Sequence, residues 1–491
     1  MSSQALGIEH VFVLMMENRS FDHLLGFSGI SGSDAVTGRG TQANGLNGTE
    51  SNHFDGATYT VSPGAGWVMP ADPGHEFPDV LAQLCGAGAQ YPKGGAYPPI
   101  GDSGFVASYV ASGGKNPAEI MKCYTTAQLP VLNALAAEFV LCDNWHASMP
   151  GPTWPNRMFA HAASSGGLDH SPSTAEIVEW ETLDGFKFPN GTIFAALERK
   201  GISWRIYGGD DFPMAAALKG IDLGNIRHYS LFAGDLSDPG YAPRYVFLEP
   251  KYDALHDYKA GNSQHPLGDV TQGEQLIKDT YEALRNSPLW TSSLLIVTWD
   301  EHGGFFDHAI PPAAVAPGDT APNAKYNQNG FTFEQYGPRV PAVIVSPLIP
   351  RNQIDHRLYD HASIPATLEA LFGLEALTAR DAAANQLDKL VTLSAARNDA
   401  PAALPAPAGS APVTTAAVAP TPATRPDDSA DAGNVPAIVD SAMQQDLDAS
   451  PGDRRAILAR VGGIKTRGDA IAYLTDVQRK LRQRRGAPAQ S

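Results

Sequence analysis

Two pairs of oxygen-donating side chains stand where an apolar run stops abruptly. Glu17 and Asn18 follow the apolar residues 11–16, and Asp300 and Glu301 follow residues 294–299. Brought together, the four would suit a divalent or trivalent cation; without one, their charges would repel at a cost that an inert scaffold has no reason to bear. Each segment alone reads as a strand and a solvated turn, because Asp and Glu are mostly exposed. Two alike point to a metal site.

A nucleophile is offered by a third segment. The apolar residues 139–142 lead to Asp143-Asn144-Trp145-His146, and then to Pro-Gly-Pro-Thr-Trp-Pro-Asn-Arg at 150–157. Pro150-Gly151-Pro152 is a tight turn, and Pro155 belongs in a first helical turn, where its missing N–H is not needed. Thr153 then lies at or near the N-cap of a helix. Its ordinary role there is capping. The same geometry would let free N–H groups and the helix dipole bind a phosphate, with a nearby metal favouring the alkoxide. Arg157, one turn on, could hold a second phosphate oxygen.

The elements that must position these groups follow from the apolar runs. Short continuous runs rich in β-branched residues are strands buried on both faces of a parallel sheet, and such sheets collect their chemistry at strand carboxyl ends. Glu17, Asn18, Asp300 and Glu301 are therefore expected side by side, although about 280 residues of chain separate the pairs.

Read together, Glu-Asn-Arg-Ser-Phe-Asp-His at 17–23, the 150–157 segment, Asn-Ser-Gln-His-Pro at 262–266, Asp-Glu-His-Gly-Gly-Phe-Phe-Asp-His at 300–308 and Tyr-Gly-Pro-Arg-Val-Pro at 336–341 resemble the bacterial phospholipase C and acid phosphatase family, which includes plant non-specific phospholipase C. The resemblance spans roughly residues 8–375. It implies an alkaline-phosphatase-like three-layer α/β/α sandwich with a mostly parallel sheet, and phosphoester hydrolysis through a covalent phospho-enzyme. Carried over, it puts one metal ion of unknown identity on Glu17, Asn18, Asp300 and Glu301, and the nucleophile on Thr153, where the acid phosphatase branch has Ser. Phosphate-binding or proton-donating histidines fall on His75 and His265. Some relatives carry a further active-site histidine near 204–210; this chain has Gly208, Gly209 and Asp210 there, which leaves Asp210 as a substrate-contact candidate and disfavours a monoester substrate.

His265 also stands out by position, in a polar turn just before a helix-like stretch. His302, His308 and His361 lie beside Asp300, Asp307 and Asp360 as orienting or loop-binding groups, with His302 a further candidate for substrate contact. His23, His146, His161 and His356 are read as structural.

The chain has 491 residues, with 35 basic against 52 acidic side chains and a formal charge of −17. That field argues against nucleic-acid partners, while a local basic patch leaves peripheral contact with a phospholipid surface open. Three cysteines exclude a disulfide framework and leave one bridge to expect, Cys85 with Cys123. No basic, apolar or twin-arginine leader precedes the first strand, so a cytoplasmic protein is expected. Residues 1–394 read as the catalytic domain and 395–436, rich in Ala and Pro, as a linker unable to fold. Residues 437–491 read as a small helical hairpin with a basic tail, dispensable for the chemistry. Three functions stay open at this point: a metal-dependent phospholipase C, an acid phosphatase on monoesters, and a non-catalytic scaffold on the same fold.

Overall fold

The structure is a computed structural model and describes residues 7–182, 186–319, 321–409 and 426–486. At its centre is a ten-stranded sheet. In chain order its strands are β1 (His10–Met16), β2 (Ser31–Asp34), β3 (Gly40–Gln42), β4 (Val140–Cys142), β5 (Trp204–Gly208), β6 (Ile226–His228), β7 (Tyr245–Glu249), β8 (Ser293–Trp299), β9 (Ala342–Val345) and β10 (Gln353–Asp355). Across the sheet they run β6, β5, β7, β1, β8, β9, β4, β10, β2, β3. Pairing is parallel except where β9 meets β8 and β4, and where β3 meets β2.

Every residue of β1 and β8 is buried, which is why both read as unbroken apolar runs. In their register Met16 lies opposite Trp299, so the residues that follow emerge together. Because β9 is antiparallel to both neighbours, β4 beyond it points the same way as β8. The carboxyl ends of β1, β8 and β4 thus open on one edge, and the segment carrying Thr153 leaves from the last of them.

The helices used below are α1 (Phe77–Cys85), α2 (Pro130–Glu138), α3 (Thr153–Ala162), α4 (Thr174–Thr182), α5 (Ile193–Arg199), α6 (Val270–Arg285), α7 (Ser363–Phe372), α8 (Val435–Ala449), α9 (Arg454–Gly462) and α10 (Arg467–Gly486). They cover both faces of the sheet. On one face Tyr245 and Phe247 of β7 meet Phe194 of α5 and His161 of α3, at ring separations of 5.5 and 4.5 Å. On the other Phe12, level with Val246, meets Phe232 at 6.1 Å. This is the α/β sandwich expected.

The C-terminal region departs from the hairpin that its sequence suggests. It has three helices, α8 to α10, and they are not set apart. Val435, Val439, Ala442 and Met443 of α8 are buried in the same apolar core as the sheet. The first part of the expected linker is docked too. Carbonyls of Ala400, Pro401 and Leu404 accept hydrogen bonds from Arg285, Tyr281 and Lys278 of α6, with Ala400 and Leu404 buried. Poor apolar content prevents a segment from building its own core, but not from resting on one already built. Residues 410–425 of that linker lie outside the described residues.

The three cysteines are free, so the expected Cys85–Cys123 bridge is not formed, and the Cys85 thiol instead donates to the Pro98 carbonyl. Among the described residues no helix is long and apolar enough to cross a membrane.

Candidate active site

The segment that carries Thr153 is braced by one side chain. Asn156 accepts the Met149 N–H at 3.1 Å and donates to the carbonyls of Met149, Gly151 and Pro152 at 3.3, 2.9 and 3.0 Å. These bonds set the Pro-Gly-Pro turn against the start of α3. Thr153 is the first helical residue, after the extended Pro152, so its hydroxyl stands beside first-turn N–H groups that have no intrahelical acceptor. Its Oγ1 donates to Asn18 Oδ1 at 3.0 Å.

Asn18 is held in the left-handed region at φ +57, a conformation that persists only when its surroundings impose it. Its N–H donates to Asp300 Oδ1 at 3.0 Å. Gly303 closes against it: at φ +64, a Cβ there would lie 2.2 Å from the Asn18 carbonyl oxygen. The first glycine after Asp300-Glu301-His302 is therefore a packing requirement of the opposite strand end.

The carboxylates differ in their partners. Asp300 is fully engaged, accepting from the N–H groups of Asn18 and Glu301 and, on Oδ2, from Arg157 Nε at 2.8 Å. Glu301 takes His75 Nδ1 at 2.7 Å and the Gly303 N–H at 2.7 Å. Burial opposes ionisation of Glu301, yet the charges and hydrogen bonds of His75 and His302 together hold its carboxyl down at about 2. Glu17 Oε1 takes Asn434 Nδ2 and the Ser263 hydroxyl also lies against this carboxyl, while Oε2 is buried without a well-formed hydrogen bond. Burial, and then the charge of Asp300, push the Glu17 carboxyl up to about 8. By donor chemistry Glu17, Asn18, Asp300 and Glu301 fit a hard cation, and the buried Glu17 Oε2 is an atom that a cation would satisfy. As they stand, Asp300 is paired with Arg157 and Glu301 with His75, and the ligand atoms of the three carboxylates do not converge to within 4.8 Å of one another.

Burial opposes protonation of His75, but the charge and hydrogen bond of Glu301, with the charges of Asp72 and Glu76, together shift it upward, to about 10; Asn18 Nδ2 lies 2.9 Å from the same Nδ1. His265 goes the opposite way. Burial, and then the charges of His75 and Arg19, hold it well below the usual value and keep it neutral. It lies flat on Tyr258 with ring centres 3.4 Å apart, and its Nε2 is 3.6 Å from Asp72.

Thr153, Glu17, His75 and His265 line one cavity of about 230 Å³, together with Asp72 and Asn434. Three other expected substrate contacts are not in its wall. Arg157 turns away: its Nη2 donates to the carbonyls of Met15 and Met16 at 3.1 and 2.8 Å, so it ties α3 to the end of β1. In a buried site a fixed carboxylate and two carbonyls hold a guanidinium better than a transient phosphate does. His302 is fully buried behind Glu301, with Nε2 on Gln83 at 2.7 Å. Asp210 accepts the Tyr252 N–H at 2.6 Å and lines other cavities, bordered by the C-terminal helices.

His361 does act on the site from behind, its Nε2 lying 2.5 Å from the Asp300 carbonyl. Because the Trp145 indole donates to its Nδ1 at 3.3 Å, the proton of this ring sits on Nε2. Asp72, Tyr258 and Asn434 were not singled out from the sequence. Tyr258 is marked only by its backbone, a bulky side chain held at φ +60.

Among the described residues, one group of three His, Cys, Asp or Glu side chains has ligand atoms within 4.8 Å of one another: Asp22, Asp307 and His308. Its charge is already matched by the guanidinium of Arg339, at 3.0 Å from Asp22 and 2.8 Å from Asp307. That cluster reads as a buried ion-pair network from the Tyr-Gly-Pro-Arg segment.

A family model described as the phosphoesterase family matches residues 8–375. Non-specific phospholipase C6 of Arabidopsis thaliana is 35% identical over 418 residues, covering 81% of this chain and 75% of its own. Phospholipase C A of Mycobacterium tuberculosis is 28% identical over 400 residues, covering 75% and 73%. A solved protein of the alkaline phosphatase superfamily from Vibrio parahaemolyticus aligns with a TM-score of 0.30 at 15% identity, over 53% of this chain and 66% of its own. The chain belongs to the phosphoesterase family, hydrolases of phosphoester bonds.

Proposed function

We propose that the protein is a phospholipase C that cleaves a phosphodiester through a phospho-threonine intermediate. The observation that carries this is the Thr153 hydroxyl, 3.0 Å from Asn18 Oδ1 at the start of a helix, in the cavity that also holds Glu17 and the charged His75. The relatives named non-specific phospholipase C and phospholipase C support the diester substrate.

In the first step Thr153 Oγ1 forms a bond to phosphorus and its proton passes to solvent, from which His75 is reprotonated before the next turnover. The bond from phosphorus to the diacylglycerol oxygen breaks, and His75 supplies the proton that the departing alkoxide takes up. In the second step water attacks the phospho-threonine, restoring the hydroxyl and releasing the phosphorylated head group. The first-turn N–H groups of α3 face the phosphoryl oxygens. The neutral His265, fixed against Tyr258, positions the head-group side. Glu17, Asn18, Asp300 and Glu301 would hold a cation, which supplies positive charge next to the hydroxyl and the phosphoryl group.

The test is turnover of phosphatidylcholine and of p-nitrophenyl phosphate in parallel, by native and chelator-treated protein. Diacylglycerol release that is lost on chelation and restored by a metal is the expected result. Turnover of the monoester alone would make the protein a phosphatase, and no turnover of either would leave a scaffold.

A further inference from the structure

Asn434 stands at the N-cap of α8, where an asparagine side chain ordinarily accepts an N–H of the first turn. It makes no such bond, and its backbone is at φ −85, ψ 2. Its Nδ2 donates instead to Glu17 Oε1, across 417 positions of sequence, and both side chains are buried. The strap that carries it, residues 426–434, is anchored independently of that contact. Asp431 caps α4, accepting the Thr174 N–H at 2.9 Å and its hydroxyl at 2.8 Å. The Ala430 N–H donates to the Lys465 carbonyl at 3.0 Å, and the Asn434 N–H to the Tyr258 hydroxyl at 3.4 Å. Gly433 passes so close that a Cβ would lie 2.8 Å from the Tyr258 oxygen. Tyr258 in turn supports His265.

We propose that Asn434 is a positioning residue of the catalytic centre: by holding Oε1 of Glu17 it presents Oε2, the oxygen without a well-formed hydrogen bond, to the cation and phosphoryl group. The donor chemistry suits this role. An amide N–H fixes the carboxylate without neutralising it, whereas a lysine or arginine at the same place would compete with a cation for its charge. The inference rests on the reading of Glu17 as a metal ligand given above. It makes the C-terminal segment part of the active site.

The test uses full-length protein with Asn434→Ala, and with Asn434→Ser, which keeps capping chemistry at the start of α8 but is too short to reach Glu17. Three quantities are read: manganese(II) affinity of chelator-stripped protein by calorimetry, kcat and KM on p-nitrophenylphosphorylcholine, and Tm. Both variants are expected to lose roughly 10- to 100-fold in manganese affinity, the usual effect of removing a partner that orients a ligand. At saturating metal kcat falls about tenfold while KM and Tm stay near wild type. Folded variants with wild-type affinity and kcat overturn the proposal. Thr153→Ala separates the two readings, because it should bind manganese normally and not turn over. If the wild type binds no metal and Thr153→Ala stays active, the functional reading falls as well; if those controls behave and the Asn434 variants match wild type, only this inference falls.

Discussion

At the scale of single residues the site separates groups that do chemistry from groups that hold them. Thr153→Ala removes one hydroxyl and one hydrogen bond, worth about 1 kcal/mol to the fold. If Thr153 makes the proposed covalent bond, kcat/KM on a soluble diester should fall at least 100-fold with Tm nearly unchanged, because no other hydroxyl stands at the start of α3 against Asn18, while Thr153→Ser keeps measurable turnover. Retention of a tenth of wild-type activity by the alanine variant would place the nucleophile elsewhere. Gly303 offers a contrasting case, in which the lesion is geometric. A Cβ there collides with the Asn18 carbonyl at 2.2 Å, whereas Gly318, also at positive φ, has nothing within 4 Å. Gly303→Ala is expected to cost roughly 1–3 kcal/mol more than Gly318→Ala in chemical denaturation, because only the first adds a clash to the backbone strain. Equal costs would mean that Gly303 does not support Asn18.

At the scale of elements, the loop before α4 provides a pH test. His170 sits between Asp169 at 3.2 Å and Glu176 at 2.9 Å, and Glu176 also accepts the Ser173 N–H. Burial opposes both charges, but the hydrogen bonds and mutual attraction raise His170 to about 9 and lower Glu176 to about 2. The His170 contribution is fully present below its unfolded value near 6.5 and is lost as pH rises through 9. The Glu176 contribution is present above 4.5 and is lost as pH falls through 2. His170→Gln should therefore lower stability by roughly 1 kcal/mol near pH 6, with the difference from wild type gone above about pH 10. A difference that grows with pH would refute the ion pair.

Elements are also where the sequence was most legible. β1, β8 and the start of α3 could be placed from residues alone, because unbroken apolar runs and a Pro-Gly-Pro turn are local signals with local causes. Arg157 was expected in the right place with the wrong partner, since residue type says that a guanidinium seeks an anion but not which one is nearest. His302 misled for a similar reason: it does sit against Glu301, with Nδ1 3.3 Å from Oε2, but on the buried side, where Nε2 meets Gln83 rather than the cavity. Asn434 had no signal at all. Its position depends on a strap returning from beyond residue 425, and no periodicity within that strap encodes what it will touch.

For the whole molecule, burial of the tail argues against the expectation that it is dispensable. Ending the chain at residue 409 would expose the core surface now covered by Val435, Val439, Ala442 and Met443, and would leave Glu17 without its partner. Side chains of this size contribute about 1.5–3 kcal/mol each when fully buried, less for alanine, so the loss approaches the entire stability of a typical domain. Such a protein should be insoluble or bind a hydrophobic dye, and should be inactive on a soluble diester. Full activity in the shortened chain would show that the tail is an appendage after all.

The order of strands has a consequence for how the protein comes to exist in time. β1 is made first, yet both of its neighbours, β7 and β8, arrive last among the parallel strands at the sheet centre, with Val11 paired to Tyr245 and Leu294. At synthesis rates of roughly 5–20 residues per second, a strand of seven buried residues waits on the order of 10–50 s for its first partner. During that interval residues 10–16 are an unpaired apolar edge, attractive to chaperones and to other nascent chains. Glu17 waits longer still, until residue 434 has been made. On the proposed role of Asn434, a ribosome stalled anywhere before that point carries Thr153 without the completed site, and such a nascent chain should not cleave phosphoesters.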